Sequence, residues 1–156
     1  MQFQDNKDGD LKIVKAVEYQ SIYNLMERCR DDFYNQAFNR DDIIDNLAHK
    51  FAKFGIFFVA YYKGEPAGFV AFYANDSTKE KAYISMIIIR SGFQHKRIGS
   101  SLLEKTITFC KDKEFQTLSA EIDDTNIKSI KFFKKHHFKY FSKASNKSSY
   151  YILKVN

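Results

Sequence analysis

Apolar positions change their period several times along the chain, and each change marks an element. Leu11 to Val17 alternates as a first strand. Ile22, Leu25, Met26 and Cys29 then recur at helical spacing within Tyr19 to Arg30. A second helix is predicted from Asp41 to Phe54, with Ile43, Ile44, Leu47, Phe51 and Phe54 on its apolar face, Asp41 as its cap and Gly55 as its stop. Ile56 to Tyr62 and Ala67 to Tyr73 flank Lys63-Gly64-Glu65-Pro66 and read as an antiparallel hairpin. Lys81 to Ile89 follows the polar turn Asn75 to Glu80 and extends the hairpin into a meander.

Helical spacing returns at Ile98, Leu102, Leu103, Ile107 and Cys110, ending in Lys111-Asp112-Lys113. A strand at Thr117 to Ile122 and a helix from Asp124 to His136 follow, the helix capped by Asp124 or Thr125. Strands at Phe138 to Ser142 and Tyr150 to Val155 close the chain. The order β-α-α-β-β-β-α-β-α-β-β predicts an α+β domain, a mixed sheet with helices on its faces. No Pro/Gly/Ser-rich stretch divides residues 1–156, so one domain is expected, with 1–10 as a loose polar leader.

Composition narrows the class. Of the residues, 44% are hydrophobic and 17% aromatic, enough for a packed core without metal or disulfide staples. Cys29 and Cys110 lie on separate predicted helices, without the spacing of a metal site, and read as buried residues of a reducing, cytoplasmic compartment. No run approaches the roughly 20 apolar residues of a bilayer span, so no membrane partner is expected. Net charge is +6, which favours anionic ligands without choosing among nucleic acid, an acidic surface and a polyphosphate cofactor.

The stretch from Ile87 to Leu103 chooses. It joins a buried strand, a basic loop and the first turn of a helix, whose leading N–H groups lack internal partners and attract an anion. His95, Lys96 and Arg97 stand at the helix end where the dipole disfavours cations, and Gly99 carries no Cβ to hold a ligand off.

Gln94-His95-Lys96-Arg97-Ile98-Gly99, running into Ser100-Ser101-Leu102-Leu103, resembles motif A of the GNAT superfamily, Q/R-x-x-G-x-G/A. Arg97 occupies the first glycine position. Asn126 to Phe138 resembles the family's N-x-x-A-x-x-x-Y-x-x-x-G-F helix, with Phe133 at the tyrosine and His137 at the glycine. The likeness covers about Val59 to Tyr140 and implies a GNAT-like, mostly antiparallel sheet.

By this resemblance the chain is an N-acetyltransferase that uses acetyl-CoA as acyl donor. Ile87, Ile88, Ile89, Gln94, His95, Lys96, Arg97, Ile98, Gly99, Ser100, Asn126, Ser129 and Phe133 would surround the coenzyme, with main-chain N–H groups near Ile88 and Ile89 polarising the thioester carbonyl. The strand ending at Ile89 would splay from Thr117 to Ile122 to admit the pantetheine arm. The family's strand glutamate is replaced at Tyr83 and Ser85, which leaves Glu121 and Asp123 as candidate bases and Tyr140 or Tyr73 as candidate acids. Asp31, Asp32 and Tyr34, between the first two helices, are candidates for binding a small-molecule amine acceptor. A monomer or a homodimer fits, and no metal is called for.

Two other readings stay open. The missing tyrosine and glutamate suit a non-catalytic acyl-CoA sensor. The lysine-rich run Lys128 to Lys139 suits a nucleic-acid-binding module, but the pattern places its Phe132 and Phe133 in the core, where they cannot stack on bases.

Overall fold

A computed structural model describes residues 4–5 and 9–156. Its elements are β1 (Gln4–Asp5), β2 (Leu11–Ala16), α1 (Tyr19–Cys29), α2 (Asp41–Phe54), β3 (Ile56–Tyr62), β4 (Glu65–Tyr73), β5 (Lys81–Ile89), α3 (Ile98–Asp112), β6 (Thr117–Asp123), α4 (Ile127–Lys135), β7 (Lys139–Lys143) and β8 (Ser148–Lys154). The described strands form an eight-stranded sheet of order β1-β2-β3-β4-β5-β6-β8-β7. All its pairings are antiparallel except β5 with β6. This is the predicted α+β order with one strand more. The leader expected to be loose lies partly outside the described residues, but Gln4 and Asp5 pair with Ile13 and Lys12.

Each sheet face has its own core. α1 and α2 bury Ile22, Met26, Ile44 and Phe51 against Phe57, Phe69 and Ala71. On the other face α3 and α4 bury Ile98, Leu102, Leu103 and Phe133 against Phe58, Phe72, Ile84 and Leu118. The hairpin turn is Lys63-Gly64, with φ of 49° and 83°, the left-handed pair a type I′ turn requires; Glu65 and Pro66 belong to β4.

Three predicted helix caps are corrected. α2 begins after Arg40 without a side-chain cap, and Asp41 instead pairs with Arg30 at 2.7 Å. α4 is capped by Asn126, whose side-chain oxygen accepts from the Ser129 amide at 3.2 Å. Asp124 accepts from Ser149 at 2.7 Å and pairs with Lys143. Thr125 donates to Asp123 from its amide at 2.9 Å and its hydroxyl at 2.6 Å.

The decisive irregularity is on β5. Ala71 pairs with Met86 and Phe72 with Ile84, so Ser85 is an extra, bulged residue. The bulge switches parity: Ala82 and Ile84 face the α3 core, as do Ile87 and Ile89, while Met86 and Ile88 face α1 and α2. Beside it the sheet opens. β5 pairs with β6 from Lys81↔Thr117 to Ile84↔Ala120 and no further, although both strands run on.

Candidate active site

Past its last pairing with β6, the end of β5 borders a cleft of ≈ 540 Å³. Ile87, Ile88 and Ile89 form one wall, the first turn of α3 a second, and Asn126, Ser129 and Phe132 of the α4 segment a third. The volume suits a small organic ligand. Among the described residues β5 pairs with β4 alone beyond Ile84, so alternate N–H groups of its last residues turn toward the gap.

The α3 end gathers free amides and basic side chains. The first intrahelical bond runs from the Ser101 amide to the Arg97 carbonyl at 3.1 Å, so the amides of Ile98, Gly99 and Ser100 precede the ladder. Arg97, His95, Lys128 and Lys135 bring basic groups to the same cleft. A Cβ on Gly99 would meet the Phe132 ring at 3.4 Å and Ile89 at 3.7 Å, so glycine opens the space between β5 and α4. Lys128 donates to the Gln94 side chain at 2.9 Å, tying the loop to α4. Arg97 itself has φ of 61° and His137 φ of 72°. The two motif glycine positions that hold another residue here therefore keep the left-handed backbone of a glycine.

His137 completes a helix stop. Its amide donates to Lys134 O at 2.9 Å and that of Phe138 to Phe133 O at 3.1 Å, with the Phe133 and Phe138 rings 5.1 Å apart. These are the two bonds and the apolar contact of a Schellman motif.

Not every predicted residue reaches the cleft. Gln94, His95, Arg97, Ile98, Gly99, Ser100, Asn126, Ser129 and the three isoleucines line it, as do Asp32 and Tyr34. Phe133 does not: it is 3% exposed in the core, and its neighbour Phe132 takes the lining position. Lys96 lies with its ammonium 5.2 Å from the centre of the Tyr62 ring, outside the cleft. Asp31 also lies outside, near Asn39 at 3.4 Å.

Asp32 accepts from the Ser91 amide at 3.1 Å and hydroxyl at 2.5 Å, and the Tyr34 hydroxyl shares a proton with Thr125 Oγ1 at 2.5 Å. The segment after α1 is thereby strapped to both rims.

The proton-transfer candidates separate by environment. Asp123 is held below the usual carboxylate range by the Thr125 hydroxyl and amide, a turn-forming arrangement. Tyr140 is 54% exposed on β7 against Tyr151, with β8 between it and β6. Glu121, which does not line the cleft, lies on β6 just past the parting, opposite Tyr150, and accepts from the Ser148 hydroxyl at 2.5 Å.

Cross-strand pairing puts Tyr73, Tyr83 and Ser119 in one row, and Glu121 shares the face of Ser119. Tyr83 was missed as a candidate. Burial, then Glu121, Tyr150 and Tyr73, push its phenol up to about 12, so it stays protonated at neutral pH. Its signal in the sequence was its place at the family's strand carboxylate. Burial also pushes Cys29 and Cys110 up to about 12, which leaves neither as a thiolate nucleophile.

Known proteins resemble this chain in sequence and share its fold. The chain is 37% identical over 57 residues to streptothricin acetyltransferase A of Bacillus subtilis, covering 36% of this chain and 33% of that protein. It is 24% identical over 149 residues to an uncharacterised N-acetyltransferase of Methanocaldococcus jannaschii, covering 85% of this chain and 66% of that one. The chain thus spans less than two thirds of the length of either relative. The yncA structure of Salmonella typhimurium, solved with its cofactor acetyl-CoA, superposes with a TM-score of 0.73 at 16% identity, over 94% of this chain and 95% of that one. The model of the acetyltransferase (GNAT) family matches residues 19–138, and the chain belongs to that family.

Proposed function

We propose that the chain transfers an acetyl group from acetyl-CoA to the amine of a small molecule, by direct attack with both substrates bound. The parting of β5 from β6 beside a basic helix N-terminus carries this reading. Acetyl-CoA supplies the acyl group already activated as a thioester. The amides of Ile98, Gly99 and Ser100, with Arg97, hold its pyrophosphate. Gap-facing N–H groups near Ile88 and Ile89 stabilise charge developing on the carbonyl oxygen.

The amine enters from the face that carries Tyr73, Tyr83 and Glu121. Glu121 takes the proton from the attacking nitrogen, because one carboxylate oxygen is occupied by Ser148 and the other is left to accept. Tyr83, a neutral phenol, is the proton donor nearest in kind to the tyrosine that Phe133 replaces. Orientation of the two substrates supplies much of the remaining acceleration. The Bacillus relative named for streptothricin supports an amine-bearing small molecule as acceptor class.

Release of free thiol from acetyl-CoA, measured across a panel of amines, tests this proposal. Amine-dependent release is expected, and Glu121→Gln lowers kcat more than it raises KM. An unchanged pH–rate profile in that variant removes Glu121 from the mechanism. Tight acetyl-CoA binding without release under any amine favours the sensor reading, to which the buried Phe133 lends its weight.

A further inference from the structure

Behind the cleft, the two helices that flank the phosphate end are joined by one side-chain bond. Ser100 Oγ, in the first turn of α3, lies 3.0 Å from Nε2 of His136, the residue that terminates α4. Ser100 lines the cleft, whereas His136 stands behind it with its ring 5.0 Å from that of Phe132. The imidazole therefore reaches a bound anion only through the serine hydroxyl. A hydroxyl has a single proton, and where that proton points depends on what the imidazole nitrogen is doing.

We propose that His136 is a positioning residue for the coenzyme, taking up a proton when the diphosphate binds and turning the Ser100 hydroxyl to donate into the cleft. This inference rests on the acetyl-CoA reading above. With Nε2 unprotonated, the hydroxyl donates to the ring and presents only lone pairs to an anion. With the ring an imidazolium, Nε2–H donates to Oγ and the hydroxyl proton is released toward phosphate oxygen. The proton comes from solvent, so binding and proton uptake are linked.

The surroundings set the direction. Without ligand the ring is held below its ordinary value, first by burial and then by the positive charges of Lys135, His137 and Arg97, with Glu104 alone opposing. Arg97 and Lys135 both line the cleft. A diphosphate placed between them cancels the repulsion they exert on the ring, so the bound-state value rises. Affinity is then greatest below the free-state value and falls as pH rises through the bound-state value. A shift of one unit makes binding about tenfold tighter on the acid side than on the alkaline side.

Dephospho-coenzyme A is the probe, because it keeps the pyrophosphate but lacks the monoester phosphate that itself titrates near neutrality. Calorimetry in two buffers of contrasting ionisation enthalpy reports the protons taken up. Wild type is expected to absorb protons between pH 5 and 7, and His136→Gln, whose amide can still donate to Ser100, to bind with no uptake and a pH-independent Kd. An NMR titration of the His136 ring with and without probe needs no variant and should show its midpoint move upward on binding. Binding without proton uptake, uptake that survives in the Gln variant, or an unmoved midpoint would each overturn the proposal. If wild type binds neither dephospho-coenzyme A nor acetyl-CoA, the donor reading falls and takes this inference with it.

Discussion

Gly68→Ala tests the proposal that the coenzyme lies along β5, without touching the cleft. Gly68 sits on β4 opposite Ile89, beside the bulge at Ala67. A Cβ there would lie 2.3 Å from the Ile88 carbonyl oxygen and 2.9 Å from Ile89 Cδ1. Ordinary contact needs about 1 Å more, and the obstruction is backbone, not a flexible side-chain end. β5 must retreat from β4, and beyond Ile84 no hydrogen-bonded strand on its other side resists. Its only free direction is into the gap. Overpacking of this kind costs about 1–3 kcal/mol. For a domain of this size each kcal/mol lowers Tm by about 2–4 °C, so a fall of roughly 2–12 °C is expected. Because displaced strand and pantetheine compete for one space, acetyl-CoA affinity, measured below the variant's own transition, should fall by about tenfold or more. Calorimetric scanning and isothermal titration measure the two effects. A variant that loses stability but binds acetyl-CoA like wild type would show that the arm does not lie along β5.

Three further expectations follow from particular residues. Arg97→Gly should raise Tm by relieving about 1–2 kcal/mol of left-handed strain, yet weaken acetyl-CoA binding by removing a cleft cation; a variant with both properties unchanged would deny Arg97 either role. Phe133→Tyr should cost about 1–3 kcal/mol, since its new hydroxyl has no partner among Phe132 and Phe138, and kcat should not rise; a faster and undiminished enzyme would place this ring at the site. Asp124 is held low by Lys143 and Ser149, so the stability it contributes is full above its unfolded value and is lost as pH falls through the folded one. Tm followed from pH 6 down to pH 2 should therefore fall less in Asp124→Asn than in wild type, and parallel curves would refute this.

Elements with unambiguous periods could be read from the sequence to within a residue or two. Lys81–Ile89 is predicted and observed with identical limits, because a β-branched run between polar turns admits one reading. What could not be read was parity. Phe132 and Phe133 are neighbours on a helix, about 100° apart, so the pattern that places both in the core holds only for Phe133, and Phe132 is corrected to a cleft-lining ring. The position of the core under β6 and β8 decides that Phe133 is buried and Phe132 borders the cleft. The bulge at Ser85 is invisible for a related reason: in Ile84-Ser85-Met86-Ile87-Ile88-Ile89 every register buries something apolar, so no alternation marks the slip. Asn126 won the cap from Asp124 and Thr125 because those two are engaged by Lys143 and Asp123, and tertiary partners are not written in local sequence.

The two substituted glycines, one before α3 and one after α4, argue for chemical as well as steric demand at these turns. Arg97 and His137 adopt φ of 61° and 72°, a conformation that costs a side chain of this kind about 1–2 kcal/mol. Glycine would remove that cost at both places, and nothing in the local backbone forbids it. What glycine cannot supply is a basic group at the mouth of α3, where Arg97 lines the cleft, and beside His136, whose ring senses both Arg97 and His137. At Arg97 the strained backbone carries a basic side chain into the cleft. A chain that needed only the shape of the loop would keep glycine at both sites; one that must hold a diphosphate against solvent gains more from the cation, because charge-assisted contacts to phosphate contribute about 1.5–3 kcal/mol each.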